Sequence, residues 1–300
     1  MRLNKNIYDD ICIRKIINKI IIISLIALVI STLGCKSSSV GDKAGQYNFK
    51  QGVAELKLSL LDNAPPEKIY PNSNFKIVVE VDNPSAYDIT DGRINIVGID
   101  EKYFQVYPFE QNINFLEGRN LANPSGDKTF IEFDGTAGQL FQNAEEYTAN
   151  FFLMAKYRSK VEFVDTVCIS PNFYDVYDSG CKVEGKKSYS GQGAPLAVKE
   201  IEEIISPNAD VEFRIMLKNV GSGKINSVTL GQARLGSEDI SCQFTGDQGE
   251  KSVKFSGEKQ EAVIICKHLL KGQNSYSTTL SIDFLYDYET KQQHKLRLIK

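Results

Sequence analysis

Apolar and polar residues alternate along several stretches of the sequence, and this two-residue period constrains the fold more than any other feature. Residues 54–60 and 75–81 both carry an apolar side chain at every second position. Successive side chains of a β-strand point to opposite faces of a sheet, so the pattern is typical of strands with one buried face. The same pattern predicts further strands at 93–99, 103–107, 129–133, 148–157 and 161–168. Turn residues such as Asp91-Gly92 separate them, and strands with turns between them predict an antiparallel β-sandwich.

The second half of the sequence repeats the first. The pairs separated by 136 residues are Pro71 and Pro207, Asn72 and Asn208, and Asn83 and Asn219. The pairs separated by 129 residues are Tyr147 and Tyr276, Phe151 and Leu280, Leu153 and Ile282, and Tyr157 and Tyr286. Because a shared pattern at a constant offset indicates a duplicated unit, we predict two tandem sandwich domains. Their predicted bounds are 53–183 and 196–300, with a linker at 184–195 that is rich in glycine and lysine.

The N-terminal 52 residues have a different composition. An apolar run at 20–33 follows several basic residues and ends close to Cys35. As a helix it would be about 21 Å long, short of the roughly 30 Å of a bilayer core, which favours a signal peptide at 1–34. The residues before Cys35 resemble a lipoprotein box, so we expect a lipid anchor on this cysteine; an uncleaved anchor helix and an ordinary cleaved signal are the alternatives. Serine and glycine at 35–52 predict a flexible tether.

The charge of the chain excludes some classes of partner. Residues 1–34 hold five of the 35 basic and two of the 38 acidic residues, so a chain cut there keeps 30 basic against 36 acidic residues, a net charge of −6. Nucleic acids and anionic lipid surfaces attract basic proteins, and we expect neither as a partner. The remaining length, about 265 residues, is enough for two domains that each bury a core.

Cysteine spacing predicts an oxidising compartment. Of the six cysteines, Cys12 lies in the predicted signal and Cys35 is the predicted lipid site. The other four form two local pairs, Cys168 with Cys181 and Cys242 with Cys266. In the chain-entropy model a disulfide across a loop of either length contributes about 3 kcal/mol. A zinc site is the alternative, but neither pair has the C-x-x-C spacing. We therefore predict a disulfide within each pair, as in extracytoplasmic proteins.

Two sets of side chains are candidates for binding. Asp82, Asp88 and Asp91 follow the second predicted strand and could offer oxygen ligands to Ca²⁺; solvated turn residues and strand caps are the other interpretation. No other cofactor is expected. The loop closed by the first cysteine pair carries three aromatic residues, Phe173, Tyr174 and Tyr177. Aromatic side chains on a stapled loop lose little entropy on binding, so they could contact a partner, or they could pack between the two domains.

No catalytic set is suggested by spacing. The chain has two histidines, His268 and His294, and each cysteine already has an assignment. Gly221-Ser222-Gly223-Lys224 lacks the first glycine of a phosphate-binding loop, and an isoleucine stands where serine or threonine is required. We therefore predict a hairpin turn there, no catalytic residues and no enzymatic activity.

A family resemblance begins at the same turn. Lys218-Asn219-Val220-Gly221 ends a predicted strand and resembles the Asn-x-Gly signature of the immunoglobulin-like domains called CARDB, found in surface and adhesion proteins of bacteria and archaea. The first copy has Asn83-Pro84-Ser85 at this point. Two such domains behind a signal sequence are similar to archaeal surface proteins, including S-layer-associated ones. The resemblance spans roughly 54–300 and implies immunoglobulin-like sandwiches with an adhesive or structural role, without catalytic residues.

These observations predict an all-β protein with two tandem immunoglobulin-like antiparallel β-sandwich domains behind an N-terminal signal or anchor helix. We expect it on the outer face of the cell membrane, where it mediates adhesion or protein–protein interaction as a non-enzymatic surface protein. Its expected partners are the membrane, through the N-terminal anchor, and other surface proteins or glycans. The alternative is a structural or accessory subunit of an extracytoplasmic membrane or surface-filament complex.

The mass of the protein extracted from membranes tests the N-terminal and cysteine predictions together. With thiols blocked and no reductant, we expect a chain that begins at Cys35, carries two thioether-linked lipid chains and has two disulfides. A chain that begins at Met1 with free thiols would contradict both predictions.

Overall fold

Strands account for all regular secondary structure in the part of the chain that the structure describes. This computed structural model describes residues 48–141, 143–171, 180–206, 210–246, 251–255, 258, 260–270 and 274–300. Within these ranges there are sixteen strands and no helix, which confirms the all-β prediction for them. The strands are β1 (Lys57–Leu60), β2 (Asn74–Asp82), β3 (Ile89–Val97), β4 (Phe104–Tyr107), β5 (Glu110–Leu116), β6 (Lys128–Ala137), β7 (Glu146–Ile169), β8 (Lys186–Ser188), β9 (Leu196–Ile205), β10 (Asp210–Asn219), β11 (Lys224–Leu235), β12 (Glu238–Asp239), β13 (Ser241–Phe244), β14 (Ser252–Lys254), β15 (Glu261–Leu269) and β16 (Tyr276–Ile299).

The strands form three antiparallel sheets. The first-half sheet has the order β1-β2-β6-β4, and the second-half sheet has the order β13-β15-β10-β9-β8. The third, which we call the shared sheet, has the order β12-β11-β16-β7-β3-β5, with β14 beside β11. Inward-facing side chains from all three sheets form a single buried apolar cluster.

Two long strands, β7 and β16, join the halves. Each has 24 residues, and they pair over their whole length, from Ile169 opposite Tyr276 to Glu146 opposite Ile299. The first part of β7 also pairs with β3, and the first part of β16 pairs with β11. The last ten residues of each strand therefore continue past their own half and extend the sheet of the other half.

The prediction of separate strands at 148–157 and 161–168 is wrong, because both lie within β7. The polar interruption between them is Arg158-Ser159-Lys160. Ser159 stands at an inward-facing position, where it is buried, and its hydroxyl donates a hydrogen bond of 2.7 Å to the carbonyl oxygen of Asp88. A small polar residue can occupy the buried face of a strand when its polar group is hydrogen-bonded, so the strand continues through Ser159.

The central strands of the two halves have equivalent neighbours. β2 lies between β1 and β6 in the first-half sheet, and β10 lies between β9 and β15 in the second-half sheet. The inward-facing residues of both central strands are fully buried: Ile77, Val79 and Val81 in β2, and Phe213, Ile215 and Leu217 in β10. At the centre of the β7–β16 pairing, Arg158 lies opposite Asp287, which is its own counterpart at the offset of 129 residues.

Asn83 and Asn219 hold equivalent turns after β2 and β10. The side-chain amide of Asn83 donates to the carbonyl oxygen of Tyr87 at 3.0 Å, and its oxygen accepts from the backbone N–H of Ser85 at 3.2 Å. Asn219 repeats both bonds, to the carbonyl oxygen of Gly223 at 2.8 Å and from the N–H of Gly221 at 3.0 Å. An asparagine that binds the backbone two and four residues ahead fixes the turn without any other side chain.

A glycine is needed in only the second of these turns. A Cβ at Gly221 would lie 2.3 Å from the Tyr288 hydroxyl oxygen. That space is taken because the Tyr288 hydroxyl donates to the carboxylate of Glu55, which also accepts a 3.0 Å bond from the backbone N–H of Ser222. In the first copy the corresponding position is Ser85, whose hydroxyl donates to the carbonyl oxygen of Tyr87 at 2.7 Å. This local difference accounts for the departure of the first copy from Asn-x-Gly.

The predicted signal or anchor, Cys35 and most of the predicted tether lie outside the described residues. No helix within the described ranges is long and apolar enough to cross a membrane. Residues 48–300 form one compact unit by their contacts, in keeping with the shared sheet. The domain bounds at 53–183 and 196–300 and the linker at 184–195 remain predictions.

Replacing Asn83 by alanine should destabilise the fold strongly. The side chain is fully buried and serves several backbone groups, and unsatisfied buried groups cost about 1–3 kcal/mol each. We expect a loss of about 3 kcal/mol for Asn83→Ala and about 1–2 kcal/mol for the half-buried Asn219→Ala, measured by urea unfolding of the oxidised protein. The exposed Asn150→Ala on β7 is the control, with a change within about 0.5 kcal/mol. Equal losses in all three would contradict the turn assignment.

Candidate functional site

Both predicted disulfides are present. Cys168 at the end of β7 is bonded to Cys181, and Cys242 on β13 is bonded to Cys266 on β15. The second pair occupies directly opposite positions of two neighbouring strands. Each bond joins two cysteines that are close in sequence, 13 and 24 residues apart. The aromatic residues predicted to bind a partner or to pack between domains, Phe173, Tyr174 and Tyr177, lie outside the described residues, and that hypothesis stays open.

The structure gives the three aspartates of the proposed Ca²⁺ site separate partners. Asp82 Oδ2 lies 3.6 Å from Lys128 Nζ, and Asp88 Oδ1 accepts a 2.9 Å bond from the N–H of Gly118. Asp91 is exposed in a bulge within β3, where its φ is 52°, so the predicted turn at Asp91-Gly92 is a bulge inside a strand. No group of three or more His, Cys, Asp or Glu side chains in the described ranges is arranged to hold a metal ion.

The two histidines have different surroundings. His268 Nε2 on β15 lies 3.3 Å from Glu238 Oε2 on β12, so this contact joins the second-half sheet to the shared sheet. His294 faces inward beside the ring of Phe151, at 5.6 Å between ring centres, and burial lowers its pKa. Its Nε2 has no hydrogen-bond partner among the described residues.

Tyr70, Phe141 and Tyr276 are exposed in other parts of the chain, and four further exposed aromatic side chains lie on β4, β5, β6 and the connection between β4 and β5, at one edge of the first half. These four are Tyr107 (78% exposed), Phe109 (63%), Phe115 (55%) and Phe130 (55%). Tyr107 ends β4, Phe109 lies in the short connection to β5, Phe115 is on β5 and Phe130 is on β6. We call these four residues the aromatic edge. Aromatic residues are enriched in protein–protein interfaces, and exposed apolar patches mark interaction sites.

A groove lies between β5 and β6 at the aromatic edge. Its volume is about 470 Å³, and it is lined by polar and apolar residues of both strands, among them Asn112, Ile113, Phe115, Phe130, Ile131 and Glu132. The side-chain amide of Gln111 crosses between the strands and donates a 3.1 Å bond to the carbonyl oxygen of Glu132. β5 belongs to the shared sheet and β6 to the first-half sheet, so the groove separates the edges of two sheets.

The sequence patterns did not predict this edge. β5 has no strand prediction because Asn112 and Asn114 occupy two of its seven positions, and asparagine is depleted in strands. Phe130 falls within the predicted strand at 129–133, but its outward direction follows only from the register of β6 against β2. The usable signal was the unusual density of aromatic residues between Tyr103 and Phe115.

A second feature outside the predictions is the buried carboxyl group of Glu203. This residue on β9 lies opposite Phe213 of β10, and its Oε1 has no hydrogen-bond partner among the described residues. Burial disfavours the charged form and raises the pKa of Glu203 to about 7, whereas the charge of Lys187 on β8 acts in the opposite direction.

Comparisons with known proteins identify no family. No family model matches the chain, and no curated protein matches it. Among solved structures, the E. coli chaperone DraB is 14% identical and its match covers 73% of this chain and 89% of DraB, with a TM-score of 0.20. The YadV chaperone is 9% identical over 75% of this chain and 90% of its own, with a TM-score of 0.20. The Salmonella enterica SafA pilin in complex with the SafB chaperone is 10% identical over 76% and 86%, with a TM-score of 0.19. TM-scores this low carry no argument about this chain.

Glu203 makes stability depend on pH. Its pKa is higher in the folded chain than the ordinary 4.5, so the native state favours the protonated form, and stability falls as pH rises from about 4.5 to 7. We expect Glu203→Gln to unfold like the wild type at pH 4 and to be more stable by about 2–3 kcal/mol at pH 8, measured by urea unfolding. Glu202→Gln on the same strand, where the side chain is about half exposed, is the control and should show no such growing difference. A constant difference at all pH values would contradict the assignment.

Proposed function

We propose that this protein is a non-enzymatic, extracytoplasmic surface protein that binds other proteins of the cell envelope through the aromatic edge. The aromatic edge is the observation that carries the proposal, since four large apolar side chains stay mostly exposed there. Such side chains gain free energy when a partner removes them from water. The two disulfides support a location outside the cytoplasm, where disulfides persist.

In this proposal the chain is attached to the outer face of the membrane through residues 1–34 or a lipid on Cys35. Residues 35–52 act as a tether, and the two halves act as immunoglobulin-like sandwiches. The strand order β1-β2-β6-β4 supports the immunoglobulin-like assignment, since one sheet of that fold also has four strands with its first two at one side. The wider resemblance to CARDB and S-layer-associated proteins belongs to the same proposal, as do glycans as additional partners.

An accessory subunit of a larger surface or membrane complex is the second candidate. Exposed apolar surface on an isolated protein favours it, because such surface is normally covered when subunits dock side by side. The two candidates differ in the lifetime and stoichiometry of the complex. A fixed ratio of this chain to one partner after gentle extraction favours the subunit, and transient complexes with several partners favour the adhesion protein.

Photo-crosslinking in living cells tests the proposal. We expect a photoreactive phenylalanine analogue at Tyr107 or Phe115 to crosslink this protein to another envelope protein. The same analogue at Gln243, an exposed position on β13 of the second half, is the matched control and should give no such adduct. Tyr107→Ser combined with Phe109→Ser should abolish the adduct at Phe115 while shifting the melting temperature by no more than about 2 °C, since the replaced side chains are exposed. Absence of adducts at both positions, or equal adducts at Gln243, would overturn the proposal.

A further inference from the structure

We propose that β5 is an acceptor strand: an extended segment of a partner protein pairs with its free edge, lies in the groove beside β6 and thereby extends the shared sheet. The partner segment carries apolar side chains at alternate positions and at least one lysine or arginine. This inference rests on the proposed function, because it names how the partner would bind at the aromatic edge.

β5 differs from the other outermost strands that the structure describes. The outermost strands β1, β4, β8, β12 and β13 have two to four residues each, whereas β5 has seven. Its sequence, Glu-Gln-Asn-Ile-Asn-Phe-Leu, contains no lysine, arginine or proline. Natural sheet edges are normally protected by short length, by charge (especially lysine) or by proline, since an open edge pairs with other chains. β5 is long and has no lysine or proline, and its single charged residue, Glu110, stands at its first position.

The other long open edges carry protecting groups. Along the last part of β7, the Tyr87 hydroxyl donates to the carbonyl oxygen of Glu162 at 3.0 Å, and Lys187 Nζ donates to that of Thr166 at 2.8 Å. Along the last part of β16, Ile69 bonds to the backbone at Arg297 and Ile299. That part also carries Lys291, Lys295 and Arg297. Because the open edges of β7 and β16 are protected, the free edge of β5 is distinct from them.

The backbone of β5 presents donors and acceptors to the groove. The N–H of Ile96 on β3 donates to the carbonyl oxygen of Phe109 at 2.9 Å, so odd-numbered residues along β5 face β3. Because backbone groups alternate between the two sides of a strand, the N–H and C=O groups of Glu110, Asn112 and Asn114 face the free edge. Strand addition uses such a row of main-chain groups for affinity.

β6 faces the groove in the same way. The N–H of Asn83 donates to the carbonyl oxygen of Asp127 at 2.9 Å, so odd-numbered residues of β6 pair with β2, and Phe130 and Glu132 present their backbone groups to the groove. β4 covers β6 only from Asp134 to Ala137. The amide of Gln111 that binds the Glu132 carbonyl supplies the donor that a neighbouring strand would supply.

Charge favours a basic partner segment over a second copy of this chain. The residues lining the groove include Glu132 and no lysine or arginine, and Glu110 lies at its end on β5. Lys76 contacts Glu132 at 2.5 Å and Asp134 at 3.7 Å, whereas the Glu110 carboxylate accepts a 2.7 Å hydrogen bond from the neutral side-chain amide of Asn95 and makes no ion pair with a described residue. A second copy would bring the same carboxylates into the groove, and like charges facing each other across strands are destabilising.

A defined peptide tests the inference on the full-length protein in detergent. The probe is a nine-residue peptide of alternating threonine and valine with a lysine at each end, and the control peptide has proline at its central position. We expect the probe to bind, the control peptide to bind at least about tenfold more weakly, and the amides of Glu110, Asn112 and Asn114 to gain protection from hydrogen exchange.

Two variants at one position isolate the edge hydrogen bond. Asn112→Pro removes the N–H that faces the groove and leaves the bonds to β3 in place, since proline is tolerated where a strand's N–H is unpaired. Asn112→Thr keeps that N–H. We expect at least about tenfold weaker probe binding for Asn112→Pro and binding within about twofold of the wild type for Asn112→Thr. If Asn112→Pro fails to fold, the hydrogen-exchange comparison on the wild type decides.

Three results would overturn the inference. They are no binding of the probe, equal binding by Asn112→Pro and Asn112→Thr, and a wild-type dimer in sedimentation that Asn112→Pro disrupts, which would assign the edge to a second copy. With the photo-crosslinks at Tyr107 and Phe115 still present, the first two results would remove strand addition and leave the proposed function standing. Loss of the crosslinks as well would remove both.

Discussion

The pairing of β7 with β16 is the interaction on which the rest of the described structure depends. Twenty-four residues of each strand face each other without a break, and each strand completes the shared sheet beside the opposite half. The ion pair between Arg158 Nε and Asp287 Oδ1, 3.2 Å apart at the centre of this pairing, is partly exposed and adds little free energy. Backbone hydrogen bonds and the buried side chains Phe151, Tyr157 and Phe284 hold the strands together.

Local sequence patterns predicted several of the strands and the repeat. A two-residue period requires only that one face be buried, so it identified β2 and its buried side chains before any pairing was known. The cysteine pairs were predictable for a similar reason, because short loops limit the possible partners. The sequence repeat identified Asn83 and Asn219 as equivalent positions. Their common role follows from hydrogen bonds that a sequence pattern does not specify.

What could not be predicted depends on contacts between distant parts of the chain. Ser159 ends an apolar run in the sequence, yet the strand continues through it because the carbonyl oxygen of Asp88, just before β3, accepts a hydrogen bond from its hydroxyl. Glu203 is one of several acidic residues on β9, and only the packing of the second half buries it. The free edge of β5 could be predicted only by knowing that β5 is outermost and that β4 is short. Both are properties of the sheets and are not visible in the local sequence. Sheet order is set by long-range pairing and leaves little trace in local composition.

The separation of β7 and β16 along the sequence has a consequence for biosynthesis. A ribosome adds about 5–20 residues per second, so roughly 7–25 s separate the completion of β7 at Ile169 from the completion of β16 at Ile299. During that interval the long inner edge of β7 has no strand to pair with, and neither half can finish its part of the shared sheet. The growing chain therefore exposes an open strand edge until β16 has been made. Loss of the last ten residues of β16 would leave both halves incomplete, although those residues belong to the second half in sequence.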